Sequence, residues 1–314
     1  MMDDIVISLD EIKVFDKPCV LAIGMFDGLH MGHRQVIARA SELAKKNSAM
    51  LAVLTFSPHP SKVINMGRPP VEMLFERNVR AKMFKDVGIE VVFVKNFDIE
   101  FAGKSSEDFE VFLKEKFSQL KGIVTGENFL YGKNAKGNPQ TLSDMAERCG
   151  WEYSAVKGVY LDDGRRMSSS LMRQALRSGD LQLFEKIAGR CYVAQGIVSG
   201  GKRLGRTIGF PTLNLQWNPD CKPPFGVYAV ELIFEGRKYR GVANYGTNPT
   251  VGKTSPVLET NLFESVDFGE GSYISVSLVK FIREEQKFSD IDSLKAQIAK
   301  DKITAQKIFE VVDK

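Results

Sequence analysis

At 314 residues the chain is too long for one average hydrophobic core, so two domains are expected. Its residues are 43% hydrophobic and 26% charged, an ordinary globular composition that excludes a disordered or fibrous chain. The 43 basic and 39 acidic residues leave a net charge of +4, which makes no case for general nucleic-acid binding. The four cysteines, Cys19, Cys149, Cys191 and Cys221, form no CxxC pair, so neither a zinc site nor a disulfide framework is expected. The opening Met1-Met2-Asp3-Asp4 lacks a signal-peptide core, and no apolar run is long enough for a bilayer. A cytosolic protein with reduced thiols follows, with no membrane partner. The composition leaves the oligomeric state open; a monomer is compatible with it.

The first half alternates strand and helix patterns. Apolar runs at Val20–Ile23, Met50–Phe56, Val91–Phe97 and Gly122–Thr125 read as strands. Between them, His33–Lys46 carries Val36, Ile37, Ala40 and Leu43 at helical spacing. Asn78–Val87 does the same with Val79, Met83 and Phe84. Ser105–Phe117 opens on a cap-like Ser-Ser-Glu-Asp. Alternation of this kind predicts a parallel sheet covered on both faces, with ligands at the carboxyl ends of its strands. After a helical stretch at Ser169–Ala188 the texture changes. Short β-rich runs at Tyr192–Val198, Val227–Phe234, Tyr239–Ala243, Val257–Phe263 and Tyr273–Phe281 predict an antiparallel barrel. Asp290–Val312 returns to helical spacing. The boundary is placed at 187/188, giving domains 1–187 and 188–314.

The three histidines, His30, His33 and His59, each follow a predicted strand. His30 and His33 sit in Gly28-Leu29-His30-Met31-Gly32-His33, at a strand-to-helix turn. A helix start offers unpaired N–H groups and partial positive charge, and Gly32 lets an anion approach the backbone. Two imidazoles there can donate hydrogen bonds to phosphate oxygens and stabilise the charge that grows during displacement at phosphorus. A metal pair is the lesser alternative, because its third ligand, His59, lies in the stiff turn Ser57-Pro58-His59-Pro60.

Together, Gly24-Met25-Phe26-Asp27-Gly28-Leu29-His30-Met31-Gly32-His33 and Thr55-Phe56-Ser57-Pro58-His59-Pro60 resemble the front domain of the bacterial bifunctional riboflavin kinase/FAD synthetases. Gly126-Glu127-Asn128-Phe129-Leu130-Tyr131-Gly132, Ser168-Ser169-Ser170-Leu171-Met172-Arg173 and Gly205-Arg206-Thr207-Ile208-Gly209-Phe210-Pro211-Thr212-Leu213-Asn214 match further motifs of that family in order. The resemblance implies an α/β Rossmann-like nucleotidyltransferase domain followed by a mainly antiparallel β-barrel kinase domain with a C-terminal helix. It implies that FMN attacks the α-phosphorus of ATP at the front, giving FAD and pyrophosphate, and that riboflavin is phosphorylated at the back. Gly24, Phe26, His30, Gly32, His33, Ser169, Ser170 and Arg173 would meet ATP, while His59, Asn128, Gly226, Tyr228 and Asn244 would meet flavin.

In the second half, Gly201, Gly205 and Gly209 recur every four residues, with Lys202, Arg203 and Arg206 between them. A flexible basic loop of this type can close over a polyphosphate, so Gly201, Lys202, Gly205 and Arg206 are phosphate candidates. Thr212 and Asn214 are two apart and face the same way on an extended segment. Their neutral oxygens suit Mg²⁺, which takes few protein ligands beside substrate phosphates, and the resemblance gives them that role. It also makes Glu259, in Val257-Leu258-Glu259-Thr260-Asn261-Leu262-Phe263, the general base for the riboflavin hydroxyl. ATP, riboflavin, FMN and Mg²⁺ are thus the expected small-molecule partners, without nucleic acid.

The chain departs from the family pattern at Met25, where Asn is frequent, at Ala135, where Arg is common, and at Asn261, where His is usual; Val266–Tyr273 also matches poorly. The rivals are a riboflavin kinase with a weakened adenylyltransferase domain, a non-catalytic flavin-binding regulator, and an aminoacyl-tRNA synthetase-like protein, which His-x-Gly-His and Arg166-Met167-Ser168-Ser169-Ser170 superficially suit. The barrel-like second half and the lack of a basic RNA-binding extension count against the last. Intact His30, His33 and Glu259 count against the regulator.

Overall fold

The computed structural model describes residues 5–64, 67, 69–200, 209–247 and 255–312. The chain folds as two units, Met1–Ser169 and Ser170–Lys314.

The first unit is a six-stranded, all-parallel sheet. Its strands are β1 (Val6–Ser8), β2 (Cys19–Ile23), β3 (Met50–Ser57), β4 (Val91–Asn96), β5 (Leu120–Gly126) and β6 (Glu152–Val156), in spatial order β1-β4-β3-β2-β5-β6. The helices are α1 (Met31–Lys46), α2 (Arg77–Asp86), α3 (Ile99–Ala102), α4 (Ser106–Lys116) and α5 (Pro139–Cys149). Side chains of β2 alternate between two cores. Cys19, Leu21 and Ile23 pack with Phe109, Phe112 and Leu113 of α4. Val20 and Ala22 pack with Val36, Ile37, Ala40 and Leu43 of α1 and Phe84 of α2. α4 starts as its sequence predicts, with Ser105 and Asp108 forming a reciprocal capping box.

Strand order reverses at β2: the chain leaves it for β3 on one side, and β5 lies on the other. That switch point leaves a crevice outside the carboxyl ends of β2 and β5, where open α/β sheets bind ligands. β2 runs directly into Gly24–His33, and β5 runs into Glu127–Tyr131. The topology thereby brings together two motifs about a hundred residues apart.

The second unit opens at Ser170, the second residue of α6 (Ser169–Arg177), and continues into α7 (Leu181–Ala188). The sequence suggests one helical stretch here. The structure breaks it at Gly179, whose φ of 75° is left-handed, and restarts it with the Asp180 carboxylate accepting from Leu183 N–H. The barrel follows: β7 (Tyr192–Ser199), β8 (Leu213–Gln216), β9 (Gly226–Phe234), β10 (Arg237–Thr247), β11 (Pro256–Leu262) and β12 (Tyr273–Glu284), closed in the order β10-β11-β8-β7-β12-β9. α7 packs against β7 and β12, with Phe184 edge-on to Tyr192. Closure removes exposed strand edges. One face of the strands carries buried Tyr245, Leu258, Leu215 and Val198, aligned across β10, β11, β8 and β7. On the opposite face, Val227, Ala229 and Val242 are covered by Ala305 and Phe309 of the C-terminal helix α8 (Ile291–Val312).

Candidate functional sites

The Gly24–His33 turn is held from four directions. Phe26 (φ 49°), Gly28 (φ 82°) and Leu29 (φ 45°) all adopt left-handed backbone, a cost that neighbouring bonds must offset at the two non-glycine residues. Met25 O accepts from Thr55 Oγ1 at 3.3 Å and from Arg80 Nη2 at 2.9 Å. The buried Asp27 carboxylate accepts from Leu74 N–H at 3.1 and 3.2 Å. Asp27 O accepts from Ser169 Oγ at 2.7 Å, across 142 residues of sequence. Arg80 carries no sequence signal, since a lone Arg on a helix reads as a solvated charge; its guanidinium is instead bonded to Met25 O, and burial, partly countered by Asp27, depresses its pKa.

His30 is the N-cap of α1, and its Nδ1 accepts from His33 N–H at 3.3 Å. An accepting Nδ1 leaves the proton of a neutral ring on Nε2, so that edge of the imidazole is a donor. Burial, and then the nearby Arg166 cation, lower the His30 pKa to about 4. The ring stacks on His33, centroids 3.6 Å apart and planes 22° apart, and His33 lies edge-on to Phe26. A Cβ on Gly32 would meet His30 Cε1 at 3.1 Å and Nδ1 at 3.2 Å. The space that a side chain at Gly32 would fill is therefore taken by the His30 ring. The Phe26 ring is 1% exposed and packs on Phe84, so only its main chain could meet a nucleotide. A Cβ on Gly24 would come within 3.3 Å of that ring.

Beyond β5, Asn128 Oδ1 accepts from Arg166 Nη2 at 3.2 Å, and Glu127 pairs with the same guanidinium at 3.5 Å. Arg166 thus links the flavin-loop candidate Asn128 to the electrostatic surroundings of His30. In the sequence Arg166 stands out only as part of the stretch that suits the synthetase-like rival. His59 caps a short 3₁₀ turn, its Nδ1 accepting from Ser61 N–H at 3.1 Å and lying 2.8 Å from Ser61 Oγ. No group of three His, Cys, Asp or Glu side chains that could hold a metal ion occurs among the described residues. Ser170 and the buried Arg173 lie on the first turns of α6 in the second unit.

In the barrel the ladder aligns one row across four strands. Asn214 of β8 pairs with Glu259 of β11, Glu259 with Asn244 of β10, and Asn244 with Val227 of β9. Directly paired residues share a face, so the expected base, one metal-ligand candidate and one flavin candidate stand side by side. Asn244 Nδ2 also donates to Glu285 Oε1 at 3.3 Å, a contact with no sequence signal. Gly226 and Tyr228 flank Val227 and so lie on the other face. The Tyr228 ring is fully buried, its hydroxyl donating to Pro224 O and its ring edge-on to Phe281. The Tyr228 side chain thus belongs to the core, and a flavin contact at this residue would fall to its main chain. Gly226 (φ 151°) makes a close backbone approach, since a Cβ would lie 2.3 Å from Arg283 O. The candidates Gly201, Lys202, Gly205 and Arg206 lie outside the described residues.

Comparison with known proteins matches both units. A family model for FAD synthetase covers residues 12–171, and one for riboflavin kinase covers residues 188–309. The bifunctional riboflavin kinase/FMN adenylyltransferase of Bacillus subtilis is 36% identical over 304 residues, 95% of each chain. Its Escherichia coli K12 counterpart is 35% identical over 292 residues, 93% of each. A crystal structure described as a macrolide-efflux protein from Streptococcus pneumoniae superposes with a TM-score of 0.83 at 27% identity, covering 95% of this chain and 97% of that one. Among the described residues, no helix is long and apolar enough to cross a membrane. With the imidazole pair at the sheet's switch point, Glu259 in its row of asparagines, and both models matched in order, the chain belongs to the bifunctional riboflavin kinase/FMN adenylyltransferase family.

Proposed function

We propose that the two reactions run in sequence, the barrel making FMN from riboflavin and the sheet domain making FAD from that FMN, with the following division of labour. In the first reaction the riboflavin 5′-hydroxyl oxygen bonds to the γ-phosphorus of ATP, its proton passes to Glu259, and ADP leaves. Thr212 and Asn214 offer neutral oxygens, the hard donors that suit Mg²⁺, and Asn214 is the ladder partner of Glu259. Bound there, magnesium would neutralise triphosphate charge. Asn244, beside Glu259 on the other side, would orient the flavin. Gly201, Lys202, Gly205 and Arg206 are kept as phosphate contacts on their motif alone.

In the second reaction an FMN phosphate oxygen bonds to the α-phosphorus of ATP, and the bond to the departing pyrophosphate breaks. His30 Nε2–H and His33 would donate to phosphate oxygens, assisted by the main-chain N–H groups that open α1. Asn128, already aligned by Arg166, would touch FMN. Ser169, Ser170 and Arg173 are assigned to ATP on their motif alone. Functional domains of 1–187 and 188–314 are assigned on the motifs, although residues 170–187 belong to the second compact unit. A cytosolic, reduced-thiol setting suits the free cysteines.

The observation that carries the reading is the Asn214–Glu259–Asn244 row, which puts a carboxylate among neutral amides on one face of the barrel. The test is to incubate the pure protein with riboflavin, ATP and Mg²⁺ and separate the products. FMN and ADP should appear first, then FAD and pyrophosphate. ATP consumption without flavin, or FMN as the sole product even when FMN is supplied, would refute it.

A further inference from the structure

We infer that Asn261 is a positioning residue for the kinase reaction, holding the Thr212 segment in place through the carbonyl of Pro211. The inference rests on the reading of Thr212 and Asn214 as magnesium ligands.

Thr212 needs such support. β8 begins only at Leu213, and its outermost ladder pair with β11 is Leu213 with Thr260. Thr212 therefore lies one residue beyond the last ladder pair. Upstream, Pro211 has no N–H to donate, and Gly209 has a left-handed φ of 86°. The Pro211 carbonyl is the nearest upstream group through which Thr212 can be fixed. Asn261 Nδ2 donates to it at 2.7 Å, across 50 residues. Asn261 stands two residues past Glu259 on β11, so the two share a strand face. One strand thereby carries both the base and the group that holds the ligand segment at its register.

The surroundings of Asn261 argue against an amide kept for stability alone. The residue is 4% exposed, and its Oδ1 is buried without a hydrogen-bond partner among the described residues. An unmet buried acceptor is costly, and an apolar side chain of similar volume would remove that cost together with the donor. Its ladder partner is the apolar Val242, and Leu262 follows it. Among the described residues, the interaction that favours the amide is its bond to Pro211. α8 reinforces the same segment: Lys302 Nζ lies 5.8 Å from the Phe210 ring and 6.0 Å from that of Phe263.

The test uses the full-length protein carrying Asn261→Leu, Asn261→His or Thr212→Val. Three properties are measured: Mn²⁺ binding in the presence of ADP by electron paramagnetic resonance, the Mg²⁺ dependence of FMN formation, and the thermal midpoint. Asn261→Leu should weaken Mn²⁺ binding and raise the Mg²⁺ requirement by about 10- to 100-fold, the usual cost of losing a group that orients a metal ligand. Its thermal midpoint should stay level or rise, and FAD formation from supplied FMN should be unchanged. A folded Asn261→His, which again offers an N–H, should recover most of the loss.

If Asn261→Leu leaves Mn²⁺ binding unchanged while Thr212→Val weakens it, the inference fails and the magnesium reading stands. If Thr212→Val changes neither metal readout, the magnesium reading itself fails. A loss in Asn261→Leu that tracks a fall in midpoint, or that a folded Asn261→His does not recover, would reduce Asn261 to a structural role and overturn the proposal.

Discussion

His30 does three jobs with one ring. Its Nδ1 caps α1, its carbon edge fills the space over Gly32, and its Nε2–H is left as a donor. These jobs require the neutral form, which burial and Arg166 enforce by lowering its pKa to about 4. In the unfolded chain an ordinary histidine titrates near 6.5. Between these values the unfolded state binds the extra proton, so this contribution to stability is complete above pH ~6.5 and lost as pH falls toward ~4. His30→Asn keeps a capping side chain but removes the titration. Urea unfolding from pH 7 to 4 should therefore cost the native protein about 3 kcal/mol more than the variant. Parallel curves would mean that the imidazole is not held neutral by the fold. His30, His33 and Glu259 are legible because rare or motif-bound residues stand out in a sequence. The orientation of Tyr228 is not: neighbours on a strand alternate faces, so sharing a strand with the site row does not put its ring on the site face.

At the scale of elements, a buried ion pair ties α8 to β12. Arg283 of β12 donates to Asp301 from Nε at 3.0 and 3.2 Å and from Nη2 at 2.7 Å, and Gln297 adds a bond at 2.9 Å. Asp301 is 4% exposed. Removing one partner of a pair this buried strands the other, which typically costs 3–5 kcal/mol. Asp301→Ala should accordingly lower the stability of the barrel unit by about 3 kcal/mol in denaturant unfolding, with FAD formation from FMN retained. A change under about 1 kcal/mol would show that the pair behaves like an exposed one. The elements read correctly from sequence have strong periodicity: β2 to β5, α1, α2 and α4 in the first unit, and the long strands and α8 in the second. Those missed are short or polar. β1 has three residues, β6 is a half-buried edge strand, and β8 spans Leu213–Gln216. α5 is missed as well, although Asn138 and Pro139 form an N-terminal cap signal. β10 runs on to Thr247, well past the predicted Ala243, because pairing with β11 continues through Asn244, Tyr245 and Gly246, where composition alone suggests a turn.

At the scale of the molecule, the alternation of strand and helix followed by strands alone is enough to anticipate a parallel sheet and then a barrel. The strand orders are not legible, because they depend on pairings between residues far apart in sequence. Those orders set the chemistry: one places the His30 turn and the Asn128 loop at a switch point, and the other aligns Asn214, Glu259 and Asn244. Two sites built on separate sheets should fail separately. His30→Ala combined with His33→Ala should abolish FAD formation and spare FMN formation, while Glu259→Ala should abolish FMN formation and still convert supplied FMN to FAD. Mixing the two variants with riboflavin, ATP and Mg²⁺ then asks how FMN passes between the sites. If FMN dissociates into solution, the mixture should restore FAD synthesis after a lag that shortens as the concentration of the histidine double variant is raised, because that protein supplies the intermediate. Timed chromatography of FMN and FAD would record both the lag and the transient. If each variant retains its own half-reaction but the mixture makes no FAD, the intermediate must remain within one molecule. If either variant loses both activities, the sites are not independent.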